Sequence, residues 1–160
     1  MTDGMGILTA DMRRVVEEQK LGFVATVCPD GTPNLSPKGT TAIWDDDHIV
    51  FADICSPGTI ANLRRNPAVE INVVDVTLRK GYRFKGTGEV LEAGEDFDRV
   101  VEFFRGRGIK SAIHRVVRVK IKEANALVSP AYDNGASEAE VSARWEQHWE
   151  EMRLRRHADD

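Results

Sequence analysis

The chain is 160 residues long, 41% hydrophobic and 30% charged, with 13 glycines and 6 prolines, which suits one domain and excludes collagen-like and broadly disordered chains. Lysine and arginine number 22 against 26 aspartate and glutamate, a net charge of −4, so no broad basic field exists to hold nucleic acid. Apolar stretches such as Gly22 to Cys28 fall far short of the roughly 20 residues of a membrane span, and Met1 to Leu8 lacks the basic start and apolar run of a secretory leader, so a cytoplasmic address with neither membrane nor nucleic-acid partner is expected.

Leu8, Met12, Val15 and Val16 recur at helical spacing around Thr9, a residue suited to capping, which predicts an amphipathic helix over 10–20. Gly22 to Cys28 is apolar and β-prone, and Pro29-Asp30-Gly31-Thr32 supplies a turn, predicting a hairpin whose second arm runs from Pro33 to Trp44. After Asp45-Asp46-Asp47, His48 to Asp53 reads as a third strand in meander order. Ser56-Pro57-Gly58-Thr59 then opens a short helix ending at Arg65, with serine where a cap belongs and proline in the first turn. Ala68 to Val76, Tyr82 to Leu91 and His114 to Lys122 carry strand patterns, the last alternating Val116, Arg118 and Lys120 against Val117, Val119 and Ile121. Between the last two strands, Phe97, Val100, Val101 and Phe104 share a helical face. At least six strands, mostly joined by links too short for parallel crossovers, predict a mainly β fold: an antiparallel barrel with peripheral helices.

Beyond Val128, Tyr132 to Gly135 reads as a loop and Ser137-Glu138-Ala139-Glu140 as a capping box. Val141, Trp145, Trp149 and Met152 step along one side of the terminal helix that follows, and Arg153, Arg155 and Arg156 enrich its end. The chain thus divides into a barrel domain, 1–128, and a loop and helix, 129–160, that pack on the barrel or on a partner.

Three stretches bear on chemistry. At Ser56-Pro57-Gly58-Thr59 a helix start offers unpaired amides, a glycine that permits close approach and two hydroxyls, a set that suits a phosphate monoester, although Ser56 would serve equally as a plain cap. Pro33-Asn34-Leu35-Ser36-Pro37-Lys38-Gly39-Thr40-Thr41 is a strand interrupted by prolines and a glycine, which marks an edge or bulge whose freed backbone groups would grip the edge of a planar heterocycle, with Lys38 beside them. In Arg79-Lys80-Gly81-Tyr82-Arg83-Phe84-Lys85, alternation puts aromatics on one face and cations on the other. Gly86-Thr87-Gly88 lacks the third glycine of a dinucleotide fingerprint, and Lys38-Gly39-Thr40 is not the order of a phosphate-binding P-loop. The four histidines are scattered without metal-ligand spacing, so no metal is expected. No nucleophile elbow is present, and Cys28 and Cys55 read as reduced, buried thiols.

In this order, Gly22-Phe23-Val24-Ala25-Thr26-Val27, Asp30-Gly31-Thr32-Pro33, Ser36-Pro37-Lys38-Gly39, Ser56-Pro57-Gly58-Thr59, Asn62-Leu63 and Asn66-Pro67 resemble the pyridoxamine 5′-phosphate oxidase-like, FMN-binding split-barrel family over about residues 8–125. The resemblance implies a six-stranded split β-barrel and a homodimer with flavins in clefts between subunits. Carried over by position, it implies that Ser36, Pro37, Lys38, Gly39 and Thr40 line the ring and ribityl chain, with Ala52 and Asp53 beside them. Ser56, Gly58, Thr59 and Asn62 would face the phosphate, and Lys80, Gly81 and Tyr82 would approach from a neighbouring strand. Many relatives carry basic residues where this chain has Gly58-Thr59, so the phosphate charge must be met elsewhere: among Lys38, Arg79, Lys80 and Arg64, Lys38 and Lys80 are favoured. The vitamin B6 oxidase's substrate-binding arginine and histidine motif finds no match in Trp145 to His157.

The expected activity is therefore that of an FMN-dependent oxidoreductase moving hydride or electrons from a donor to a small organic acceptor or oxygen. Catalytic residues stay unassigned, with Lys38 or Tyr132 the candidates for any general acid. Alternatives are a deazaflavin-dependent reductase on the same fold, a non-catalytic flavin- or haem-binding module, and an interaction protein that has lost its ligand.

Overall fold

Residues 6–158 are described in the computed structural model, so the reading of the first residues as free of a leader falls, for 1–5, outside them. Helix α1 (Ala10–Gln19) starts where Thr9 Oγ1 accepts the Met12 amide at 3.3 Å, and ends as Lys20, at φ 56°, closes back on the Val16 carbonyl. Strands β1 (Gly22–Val27) and β2 (Pro33–Lys38) form the expected hairpin, in register from Gly22 opposite Lys38 to Val27 opposite Pro33. The second arm does not continue to Trp44. It stops at Lys38, whose carbonyl accepts both the Thr41 amide at 3.3 Å and the Thr41 hydroxyl at 2.8 Å, turning the chain at Gly39-Thr40. A two-residue β3 (Ala42–Ile43) then pairs with β4 (His48–Asp53).

The chain continues through α2 (Pro57–Arg65), β5 (Ala68–Asp75), β6 (Lys80–Leu91), α3 (Glu95–Gly106), β7 (Arg115–Val128), a single 3-10 turn at Pro130–Tyr132 and α4 (Glu138–Ala158). Strand β6 starts two residues before the expected Tyr82, and β7 runs on past Lys122 to pair with the start of β6. All seven strands join one antiparallel sheet in the order β2-β1-β5-β6-β7-β4-β3, curled into a half-barrel. The meander order expected for β1, β2 and β4 is not kept, because β2 and β3 lie on opposite edges of the sheet. Six strands are of substantial length, and the seventh, β3, is a fragment of the predicted second arm.

Alternation along β4 serves two cores. Ile49 and Phe51 join Val24, Ile71, Val73, Phe84, Val117 and Val119 inside the curl, closed by Val15 and Val16 of α1 and Ile60 and Leu63 of α2. Val50 and Ala52 face the other way, with Val116, onto Val100 and Phe104 of α3. That sheet leaves no room at two glycines: a Cβ on Gly81 would collide with the Val73 carbonyl, and one on Gly86, at the bulge in β6, with the Lys120 carbonyl. Both therefore have structural reasons to be glycine.

Helix α4 opens with the predicted capping box: Glu140 Oε2 accepts the Ser137 amide at 2.8 Å, and Ser137 Oγ accepts the Glu140 amide at 3.2 Å. It docks by Val141, which is buried, and by Trp145, whose ring centre lies 3.4 Å from the Arg79 guanidinium carbon. Further along, Trp149 and Leu154 are exposed. Cys55 is exposed and Cys28 partly so, which corrects the expectation of two buried thiols: Cys55 sits on the β4–α2 connection, clear of both cores. No helix among the described residues is long and apolar enough to cross a membrane.

Candidate functional site

The corner where β4 hands over to α2 differs from a plain capped helix. Ser56 does not cap α2 with its side chain. Its hydroxyl and its amide both donate to Asp53 Oδ1, at 2.7 and 2.8 Å. Pro57 has no N–H to give, and the Ile60 amide is already bonded to the Ser56 carbonyl at 3.3 Å. Gly58 and Thr59 therefore hold the amides that the first turn leaves over. A Cβ on Gly58 would meet no atom within 4 Å, so a ligand can approach that backbone closely. Thr59 lies 2% exposed against the barrel.

Asp53 is itself only 2% exposed. Its second oxygen receives Arg115 Nη1 at 3.3 Å, because β4 and β7 place Asp53 and Arg115 opposite one another in register. Burial alone would raise the Asp53 pKa, but the Ser56 hydrogen bonds and the Arg115 guanidinium more than offset it and hold the carboxyl below its ordinary range. Arg115 also donates from Nε to Glu92 at 3.2 Å, and Glu92 takes Arg64 Nη2 at 2.6 Å. This chain of charges along α2 escaped the sequence reading, since its members are contributed by β4, α2, β7 and the end of β6.

On the other side of Asp53 stands Lys38, the last residue of β2. It is 7% exposed, and its Nζ donates to Ser36 Oγ at 2.8 Å. No carboxylate among the described residues comes within ion-pair distance of it. Burial lowers its pKa, and the negative charge of Asp53 only partly counters that effect. Thr40 ties the turn after β2 to β4, its Oγ1 accepting the Ala52 amide at 2.9 Å. Gly39 faces open space and Pro37 points outward, opposite Phe23. Ser36, Lys38, Thr40, Ala52, Asp53 and Ser56 thus form one connected corner, joined by the first turn of α2.

Two predicted groups lie differently. Asn62 is buried with its amide donating to Thr26 Oγ1 at 3.1 Å, a packing role between α2 and β1. Lys80, Gly81 and Tyr82 sit at the far end of β6. Leu63 of α2 packs at Gly88, and eight residues of strand put Lys80 roughly 26 Å from there. Within one chain they belong to a separate hollow of about 360 Å³, shared with Asp11, Arg14, Asp75 and Glu138. There Lys80 Nζ pairs with Glu138 at 2.6 Å and lies 4.2 Å from the Tyr132 ring centre, while Tyr82 donates to Asp11. Tyr132 gives its own proton to the Leu78 carbonyl at 2.6 Å. Arg79 is committed to Trp145.

A curled antiparallel sheet whose turn after edge strand β2 is tied through Thr40 to β4, near the opposite edge, with a short helix opening from the end of β4, defines the split-barrel class. Residues 8–127 match the family model described as pyridoxamine 5′-phosphate oxidase, and the chain belongs to that family. Among solved structures it is similar to HupZ of Group A Streptococcus, at 29% identity over 77% of this chain and 96% of that one, with a TM-score of 0.70. It also shares its fold with a proposed pyridoxamine 5′-phosphate oxidase from Lactobacillus delbrueckii, at 23% identity over 78% and 97% of the two chains and a TM-score of 0.65. An FMN-binding protein from Syntrophomonas wolfei is similar at 19% identity, covering 76% and 87%, with a TM-score of 0.65. No curated protein matches.

Proposed function

We propose that the chain is a flavoprotein that holds FMN at the β2–β4–α2 corner and works as an oxidoreductase on a small organic substrate. The observation that carries this reading is Lys38: a cation 7% exposed with a serine hydroxyl as its partner and no carboxylate among the described residues within ion-pair distance. Burying such a charge is costly unless something offsets it. A phosphorylated cofactor supplies the missing negative charge, and the leftover amides of Gly58 and Thr59 suit its ester head. The open space at Gly39 and Gly58 leaves the backbone accessible to it. Bound FMN would supply the redox chemistry, and the protein would supply placement, exclusion of water and tuning hydrogen bonds.

Lys80, Gly81 and Tyr82 would reach the same ligand from a second copy of the chain, since their own corner is too far away. Exposed Phe23 and Leu35 on the outer face of β1 and β2 support such pairing, being 41% and 64% exposed. The absorption spectrum and mass of the small molecule that copurifies test the reading: a flavin spectrum with the mass of FMN is expected, and a protein that neither retains nor takes up any flavin refutes it. The open space at Gly58 also favours a second reading, a deazaflavin with a longer phosphodiester tail, which competition against FMN on the purified protein separates.

A further inference from the structure

Neither Gly58 nor Thr59 at the start of α2 carries a charge, yet a cation reaches that corner from β7. We infer that Arg115, the first residue of β7, is the side chain that recognises the ester phosphate, and that Asp53 is the positioning residue that holds it there. The inference rests on the flavin reading above and assigns the source of its phosphate specificity.

Register fixes the placement. Asp53 ends β4 directly opposite Arg115, and the Asp53 carboxylate joins Arg115 to Ser56, which precedes α2. Both Asp53 oxygens are occupied, one by Ser56 and one by Arg115, so the carboxylate acts as a clamp between strand and turn. The same clamp draws the Ser56 hydroxyl away from the helix, which leaves the amides of Gly58 and Thr59 uncapped.

Arg115 keeps donor capacity. Its Nη1 goes to Asp53 and its Nε to Glu92, while Nη2 has no hydrogen-bond partner among the described residues. The side chain is 33% exposed, against 3% for Asp53, so the clamp is buried on one side and open on the other. The local charges are Lys38, Arg64 and Arg115 against Asp53 and Glu92, which leaves one positive charge unmatched before a ligand arrives. A guanidinium with Nη2 free, tied through Asp53 to the Ser56 that precedes the uncapped amides of Gly58 and Thr59, suits the oxygens of a phosphate monoester.

Comparing FMN with riboflavin, which lacks the phosphate, isolates this contact. Titration of the purified protein with each, followed by flavin fluorescence, gives the preference for the phosphorylated form. Arg115→Gln is expected to weaken FMN binding by about tenfold or more, the size of a lost charge-assisted contact, while riboflavin affinity stays unchanged. Arg115→Lys recovers part of the loss. Because Arg115→Gln leaves Asp53 buried with one partner fewer, Glu92→Gln provides a second measurement at an exposed position: removing the carboxylate charge that competes with the ligand for Arg115 raises the FMN-to-riboflavin preference severalfold. An unchanged preference in either Arg115→Gln or Glu92→Gln overturns the assignment of Arg115 while the flavin reading stands. Failure of the wild-type chain to bind either flavin overturns that reading, and this inference with it.

Discussion

Replacing Lys38 by methionine separates what the chain needs in order to fold from what it needs in order to bind. Methionine keeps most of the length of the side chain and removes the ammonium. Lys38 is 7% exposed, and its hydrogen-bond partner is Ser36 Oγ at 2.8 Å. Desolvating an ammonium costs several kcal/mol, and a hydrogen bond from a charged donor returns about 1.5 to 3 kcal/mol of that. The difference, about 1 to 3 kcal/mol, is stability the substitution should add to protein stripped of small molecules. For a domain of this size that corresponds to a rise in Tm of about 2 to 10 °C. FMN retention should fall in the same variant. The alkaline limb gives an independent check. With its pKa depressed in the folded state, Lys38 binds fewer protons folded than unfolded at pH values between its folded pKa and the ordinary lysine value. Wild-type stability therefore carries a component that rises with pH across that window, and Lys38→Met lacks it. Urea unfolding of both proteins as a function of pH measures each effect. A stripped Lys38→Met protein less stable than wild type by more than about 1 kcal/mol, the scale of a net hydrogen bond, would show that the ammonium is satisfied within the fold and would refute the reasoning.

Other substitutions probe the same corner. Thr59→Val should weaken FMN about tenfold through a lost hydroxyl contact while a thermal melt shows the fold intact; undiminished flavin occupancy would remove Thr59 from the phosphate site. Thr40→Val leaves the Ala52 amide without the acceptor it now has at 2.9 Å, so urea unfolding should register a loss of about 1 to 3 kcal/mol, and an unchanged midpoint would mean that the turn after β2 is not held to β4 by this bond. The depressed pKa of Asp53 gives stability that is fully present above the ordinary carboxylate range and is lost as pH falls through its folded value. Asp53→Asn should flatten the acid limb of the stability profile below about pH 5, and superimposable wild-type and variant profiles would contradict the Ser56 and Arg115 contacts.

What the sequence made legible follows the range of the interactions. Thr9 and Ser137 cap helices through partners three residues away, and both were readable from spacing alone. The alternation of Val116 to Ile121 was readable for the same reason, since period two survives whatever the strand pairs with. Ser56 looked like one more cap, but a carboxylate three residues earlier competed for its hydroxyl and won. The strand predicted from Pro33 to Trp44 broke because Thr41 closes on Lys38, turning the chain beside Gly39 where the prolines and glycine had marked only an edge or bulge. Arg115 lies 62 positions from Asp53, and only the β4–β7 register brings them together, so no local pattern announces the pair.

Lys38 and Lys80 were the two cations favoured for a phosphate, and the fold sorts them by what surrounds each. Lys80 is matched: Glu138 of the appended helix holds it at 2.6 Å and raises its pKa, and the Tyr132 ring lies against its ammonium. If a second copy carries it to the ligand, it arrives as part of a neutral pair, bringing shape and an aromatic surface with little charge. Lys38 is unmatched, and its pKa moves the opposite way. On the proposed flavin reading, a buried, unmatched cation would raise the energy of the fold without cofactor more than that of the fold with it, trading stability for affinity at that one position. The same logic favours Arg115 over Arg79 as the second positive charge, because Arg79 is spent on Trp145 while Arg115 Nη2 has no partner among the described residues.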